Sequence, residues 1–324
     1  MASGLISQKT PGAPNAYTKS WRAGSARKHN RLLKPLSLLL PPLRLLAWVP
    51  LPVLHGFGIL LGWVIYFSPG RHRTRMRRQI RQSGLCAAAD CRRLTRRAVA
   101  EMGKTLGELP ALWFRPYRRT LALVREVRGR EVLDGALAEG RGAILLSPHI
   151  GSFEINSLYY AARAPVTVLY KPHRRAWINA LQLAGRERGQ AHLAPASAAG
   201  VRAVYKALKR GEAAGILPDQ VASKGEGVWA PFFGRPAYTP VLPLTLAQKT
   251  GAPLILGVAE RLSWGRGFRI HVSRLSAPGA DLAAAAAMLN RAIEDAVRRF
   301  PAQYFWSYNR YKRPGGAPPP EARA

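Results

Sequence analysis

His149 and Glu154 are the residues of this chain best placed to do chemistry. They lie in Gly142-Ala-Ile-Leu-Leu-Ser-Pro-His149-Ile-Gly-Ser-Phe-Glu154-Ile-Asn, where an apolar run ends in Ser147-Pro148 and passes through Gly151-Ser152 into a helix-like segment. That order predicts a buried strand, a tight turn holding His149, and a helix N-terminus. On one continuous helix, residues five apart lie about 140° apart, so the pair meets only if the histidine precedes the helix, which Gly151 permits. A carboxylate that orients a histidine is the general-base half of a catalytic triad. The motif holds no nucleophile of its own, so the attacking group must come from a substrate. Backbone N–H groups of Gly151 and Ser152, at the helix start, are candidate donors to an oxyanion. The spacing alone also fits a plain turn histidine beside a first-turn carboxylate favoured by the helix dipole.

From residue 140 onward, short apolar runs alternate with helical stretches. Strand candidates are Ala143–Ser147, Val166–Tyr170, Gly215–Leu217, Leu254–Ala259 and Phe268–Val272; helix candidates are Phe153–Ala162, Trp177–Arg188, Gly200–Arg210, Pro243–Thr250 and Leu282–Phe300. This alternation predicts an α/β fold with a mostly parallel central sheet flanked by helices. Ligands of such sheets collect at the carboxyl ends of the strands. His149, Lys171 and Asp219 each follow a predicted strand, which places three polar groups at one sheet edge.

The chain carries 50 Lys+Arg against 17 Asp+Glu, a formal net charge of +33, and has no acidic residue before Asp90. A surplus of this size points to acidic partners: nucleic acid, anionic lipid or acidic substrates. Residues 1–34 are polar and basic and read as a disordered tail. Residues 35–68 contain Leu45 to Phe67, an uncharged stretch whose 23 residues would extend ~35 Å as a helix, enough for a bilayer core. We expect a hydrophobic membrane-anchor helix there, either spanning or embedded from one side, with Trp48, Trp63 and Tyr66 near its ends. Pro50, Pro52 and His55 interrupt it, and basic flanks on both sides leave its orientation open. Residues 71–130 read as helices with basic outer faces, 69–313 as the main domain, and 314–324 as a second disordered tail. Cys86 and Cys91 match neither a zinc knuckle nor a C-x-x-C redox pair and read as two reduced thiols.

Six blocks together make the chain resemble the lysophospholipid acyltransferase superfamily, and within it the late acyltransferases of bacterial lipid A biosynthesis. The first block is His149-x4-Glu154. The second is Tyr170-Lys171-Pro172-His173, where Lys171 stands for the family's usual arginine. It keeps the charge and loses the bidentate fork. An arginine pair follows at Gly185-Arg186-Glu187-Arg188-Gly189, then Pro218-Asp219-Gln220. Next comes Gly227-Val-Trp229-Ala-Pro-Phe232-Phe233-Gly234-Arg-Pro236-Ala-Tyr-Thr239, and finally Pro301-Ala-Gln303-Tyr304-Phe-Trp306 with Arg310-Tyr-Lys312.

The resemblance implies a glycerol-3-phosphate-acyltransferase-like fold behind an N-terminal anchor. It implies transfer of an acyl chain from an acyl carrier protein to a hydroxyl of a lipid A precursor, at the cytoplasmic face of the bacterial inner membrane with its anionic lipids. No metal, cofactor or covalent intermediate is implied. His149 is the expected base and Glu154 the residue that fixes its tautomer. Lys171, Arg186 and Arg188 are expected to bind phosphates of the sugar or of the carrier's prosthetic arm, with a solvated helix end as the alternative for the arginine pair. Asp219 and Gln220 are expected at the acceptor sugar, or Asp219 on an arginine. Phe232, Phe233 and Gly234 line an acyl groove or simply fill the core, and Thr239 is carried over by the motif alone. His173 and His192 read as structural. A lysophospholipid or glycolipid acceptor is the near alternative. A basic nucleic-acid-binding protein is the distant one, and it lacks any recognition signature for that class.

Overall fold

The computed structural model describes residues 38, 40–317 and 319. The basic tail assigned to 1–34 lies outside the described residues, as do 35–37 of the anchor segment and most of the tail beyond 317.

The apolar stretch does not form one helix. Pro50 cannot continue a helix from the preceding residues, but a proline suits a helix start. The chain therefore breaks into α1 (Leu40–Leu46) and α2 (Leu51–Phe67), bent by 119°. Among the described residues no single helix is long and apolar enough to cross a membrane; this bent pair alone has the length and composition. After α2 come α3 (His72–Gln82), α4 (Asp90–Gly107), α5 (Leu109–Phe114) and α6 (Tyr117–Leu121). Helices α2 and α4 cross at backbone contact. A Cβ on Gly58 would lie 2.6 Å from the Gly103 carbonyl oxygen, and one on Gly103 would lie 2.0 Å from that of Gly58. Gly62 and Gly107 repeat the pattern one turn along, the small-xxx-small arrangement that lets helices approach this closely. Leu54, His55 and Gly58 of α2 are thereby buried, while Val53, Phe57, Leu60, Val64 and Phe67 stay exposed. Cys86 and Cys91 are joined in a disulfide that closes the α3–α4 turn, in place of the two free thiols expected.

Residues 122–274 build the sheet: β1 (Val124–Arg128), α7 (Arg130–Ala138), β2 (Ala143–Leu146), α8 (Phe153–Ala161), β3 (Val166–Tyr170), α9 (Ala176–Arg186), β4 (Ala191–Pro195), α10 (Ala198–Lys209), β5 (Ala213–Ile216), the hairpin β6 (Gly227–Phe232) and β7 (Arg235–Pro240), α11 (Leu242–Thr250), β8 (Leu254–Arg261) and β9 (Phe268–Arg274). Helix α12 (Leu282–Arg299) follows. The seven-stranded sheet has the order β1-β9-β8-β2-β5-β3-β4. Strands β8, β2, β5, β3 and β4 run parallel, while β9 pairs antiparallel to β8 and β1 follows β9. Strand β2 lies between β8 and β5, and all four of its residues are buried, as a parallel strand covered on both faces requires. Every strand and helix expected from the pattern after residue 140 is present within a few residues, although Arg188 lies just beyond its helix. The stretch 71–130, expected to be helical throughout, contains β1.

Candidate active site

His149 leaves the carboxyl end of β2 in a turn that only glycine can complete. Gly151 has φ +61, and a Cβ there would lie 2.0 Å from the Ala259 carbonyl oxygen, so an L side chain is excluded by both strain and space. The His149 ring is 12% exposed and sits between Phe153, at 4.6 Å between ring centres, and Phe305, at 6.1 Å. The carbonyl oxygen of His149 accepts from the Phe305 N–H.

The carboxylate on His149 is Asp219, from the loop after β5, and not Glu154. Nδ1 of the ring lies 2.8 Å from one Asp219 oxygen, and the His149 backbone N–H donates to the other at 2.9 Å. A carboxylate in that position selects the tautomer with its proton on Nδ1 and makes Nε2 the acceptor nitrogen. Nε2 faces the Gln220 amide nitrogen at 3.2 Å. Asp219 is buried, which opposes its charge. The His149 ring, the two hydrogen bonds from His149 and the nearby Arg310 guanidinium outweigh that and hold its carboxyl below the ordinary range.

Glu154 stands in the first turn of α8, as expected, but its oxygens are taken elsewhere. It accepts 2.8 Å from Arg186 Nε, again from Arg186 Nη2, and 3.2 Å from the Trp113 indole N–H. The histidine lies one turn outside the helix and points to the neighbouring strand's loop, so the spacing that suggested the pair does not bring it together. Burial disfavours the Arg186 cation, yet Glu154 more than compensates and raises its pKa. Arg188 donates to the Leu112 and Arg115 carbonyls, and its guanidinium lies 5.2 Å from the Tyr117 ring centre. Both arginines are thus satisfied internally and close the α5–α6 region onto α8 and α9; neither presents a free fork to a phosphate.

The expected oxyanion donors are also engaged. Gly151 N–H donates to the Gln303 carbonyl and Ser152 N–H to that of Ala259, each at 2.9 Å. Lys171 is exposed beyond β3, two strands away from β2. Phe232 and Phe233 are buried with rings 4.9 Å apart, in an aromatic cluster with Tyr304, Trp306 and Tyr311. Gly234 turns the β6–β7 hairpin. Thr239 is fully buried and accepts from Arg310 Nη2 at 2.8 Å and from Asn290 at 3.0 Å.

Arg310, which the sequence places in a motif without a role, is a further functional candidate. It is buried and held by Thr239, Asn290 and the Tyr238 carbonyl, and it supplies part of the positive field on Asp219. Its motif neighbour Tyr311 caps the Phe232 carbonyl. A second buried group supports the His149 turn from the other side. Arg261 makes two hydrogen bonds to Glu108 at 2.9 and 2.8 Å, one to Glu101 at 2.7 Å and one to the Gly151 carbonyl at 3.2 Å. Burial alone would raise the Glu108 pKa, but Arg261 and then His55 of α2 bring it down to about 2.

An imidazole at the carboxyl edge of a mostly parallel sheet, held by a buried carboxylate and with no serine or cysteine bonded to it among the described residues, suits acyl transfer to a nucleophile brought by the substrate. Residues 26–313 match the model of the bacterial lipid A biosynthesis acyltransferase family, and the chain belongs to that family. It is an acyltransferase. It is 28% identical over 282 residues to the lipid A biosynthesis lauroyltransferase of Escherichia coli strain K12, covering 85% of this chain and 90% of that protein. The palmitoleoyltransferase of the same organism is 28% identical over 278 residues, covering 83% and 89%. A phosphatidylinositol mannoside acyltransferase of Mycobacterium tuberculosis strain H37Rv is 26% identical over 210 residues, 60% of this chain and 62% of that one.

Proposed function

We propose that this acyltransferase moves a fatty acyl chain from the thioester of an acyl carrier protein to a hydroxyl of a lipid A precursor, with His149 as general base and Asp219 as the carboxylate that orients it. The observation that carries the reading is the pair of contacts from one His149 to both oxygens of Asp219. An alcohol is a poor nucleophile at neutral pH, so its proton must leave as it attacks the thioester carbonyl. Nε2 of His149 takes that proton while Asp219 stabilises the imidazolium. The tetrahedral intermediate then expels the carrier's thiolate, the C–S bond breaks, and the imidazolium returns the proton to sulfur. With Gly151 and Ser152 engaged, the Gln220 amide beside Nε2 is the donor we assign to the oxyanion.

We place the enzyme on the cytoplasmic face of the bacterial inner membrane, with α1 and α2 as the membrane-facing part of residues 35–68 and 69–313 as the acyltransferase unit. The exposed apolar side of α2 and the basic α3 beside it support that placement. The test is mass spectrometry of lipid A from cells with and without this protein. A mass difference of one acyl chain supports the reading and gives the chain's length. No difference in lipid A, with a change in another glycolipid instead, moves the acceptor towards that of the mannoside acyltransferase relative.

A further inference from the structure

A hollow of about 260 Å³ lies between α2, α3 and α4, and it adjoins one of about 410 Å³ along α3 with which it shares Arg73, Arg77 and Arg81. These three lie four residues apart and form one stripe along α3. Arg92 and Arg96 of α4, also four apart, face them across the smaller hollow, whose floor is Trp63, Tyr66 and Phe67 of α2. Arg73 stacks on Tyr66 and Phe67, 5.7 Å from each ring centre. No carboxylate lines either hollow, and among the described residues none of the five arginines has an acidic partner. Five guanidinium groups around one concavity repel one another unless an anion lies among them, and the planar fork of arginine matches phosphate oxygens.

We infer that this hollow is a binding site for the phosphate of an anionic membrane lipid. It deepens the membrane placement proposed above and does not depend on the acyl-transfer chemistry. Two features favour a lipid over a free anion. The floor is aromatic, and Phe67, which lines the hollow, continues into the exposed apolar ridge of Phe57, Leu60 and Val64. A ligand filling both has hydrocarbon beside its phosphate. The opposite side of α3 reaches the active site: Gln79 donates to the Trp306 and Tyr308 carbonyls and accepts from the Arg310 N–H, and Arg75 donates to the Ser307 carbonyl. A headgroup on the arginine stripe would therefore seat the helix that braces the segment covering His149.

The test is sedimentation of the full-length protein with vesicles of phosphatidylglycerol mixed into phosphatidylcholine, free of any acyl acceptor, at one salt concentration. Each charge near the surface is worth about a fivefold change in partitioning. The variant R73Q/R77Q/R81Q should lose about a hundredfold, whereas R202Q/K206Q/K209Q, which removes the same charge from the exposed face of α10, should stay within a few-fold of wild type. Equal losses in both variants, or none in either, overturn the site. Inorganic phosphate that binds the wild type but not R73Q/R77Q/R81Q, with vesicle binding equal in the two, would assign the hollow to a free anion and overturn the lipid reading. So would a variant that loses acyl carrier protein while keeping the vesicles. If wild type binds no vesicle at all, the membrane placement falls with the site; if it binds but transfers no acyl chain, only the proposed reaction falls.

Discussion

Replacing Asp219 by asparagine isolates what the carboxylate does for His149. Asparagine is nearly the same shape, and its oxygen can still accept the His149 backbone N–H that Asp219 takes at 2.9 Å. Its NH2 group then faces Nδ1, where the carboxylate oxygen stood at 2.8 Å. Two donors cannot share that contact, so the ring moves its proton to Nε2, and the lone pair that must take the acceptor's proton is lost. A hydrogen bond to a charged group contributes about 1.5–3 kcal/mol, which at about 1.4 kcal/mol per decade accounts for ten- to hundredfold by itself. The wrong tautomer adds to this, and the equivalent change in a serine protease triad costs about 10⁴. D219N should therefore lower kcat by about 10³–10⁴ with KM changed little, in a steady-state assay with purified acyl carrier thioester and acceptor. E154Q, which weakens only the grip on Arg186 and Trp113, should cost less than about tenfold in kcat while lowering the melting temperature. A folded D219N enzyme within tenfold of wild type, or an E154Q enzyme that loses as much kcat as D219N, would refute the assignment.

Other consequences concern the buried charges and the helix crossing. R261M leaves Glu108 buried without its main partner and should cost about 3–5 kcal/mol, read as a melting temperature about 10 °C lower; an unchanged melting temperature contradicts the buttress. Glu108 and Asp219 both have folded-state pKa values below their ordinary ones. The unfolded chain thus binds more protons as the pH falls, and the stability they contribute is present above the ordinary carboxylate range and lost as the pH drops below it, for Glu108 from about 4.5 towards about 2. For Glu108, brought from 4.5 down to about 2, the contribution is about 3 kcal/mol. E108Q should flatten the acid limb of a denaturation series, and an unchanged slope would remove Glu108 from the account. G103L places a side chain where Gly58 contributes backbone, so α2 should separate from α4 and become open to limited proteolysis. Resistance equal to wild type would contradict the close crossing.

Much of the fold was legible because burial writes itself into sequence. The run Ala143-Ile-Leu-Leu146 reads as a fully buried strand and is the centre of the sheet. The edge strands were harder. Val124–Arg128 alternates apolar and charged residues inside an arginine-rich helical context, and Ala191–Pro195 looks as much like helix as strand. The β6–β7 hairpin contains Pro231 and Pro236, which disfavour a strand reading but are tolerated in a two-stranded pair. At the site, His149 was identified and its partner was not. Spacing along the chain favoured Glu154, whereas the partner comes from 70 residues away because β5 lies beside β2. Strand order is not visible in local pattern. Arg310 stood in a motif but received no role, since nothing local distinguishes a buried arginine from a solvated one. The glycines at 58, 62, 103 and 107 did carry a signal, a four-residue spacing in each of two helices, that points to their contact.

The most direct measurement of the central claim is a transfer assay with purified protein, an acyl carrier protein bearing a labelled acyl chain, and a lipid A precursor, comparing wild type with H149A and weighing the product by mass spectrometry. Wild type should add one acyl chain to the precursor, and folded H149A should be slower by at least about 10²–10⁴. Equal product from H149A, or no transfer by wild type to this acceptor, would contradict the account.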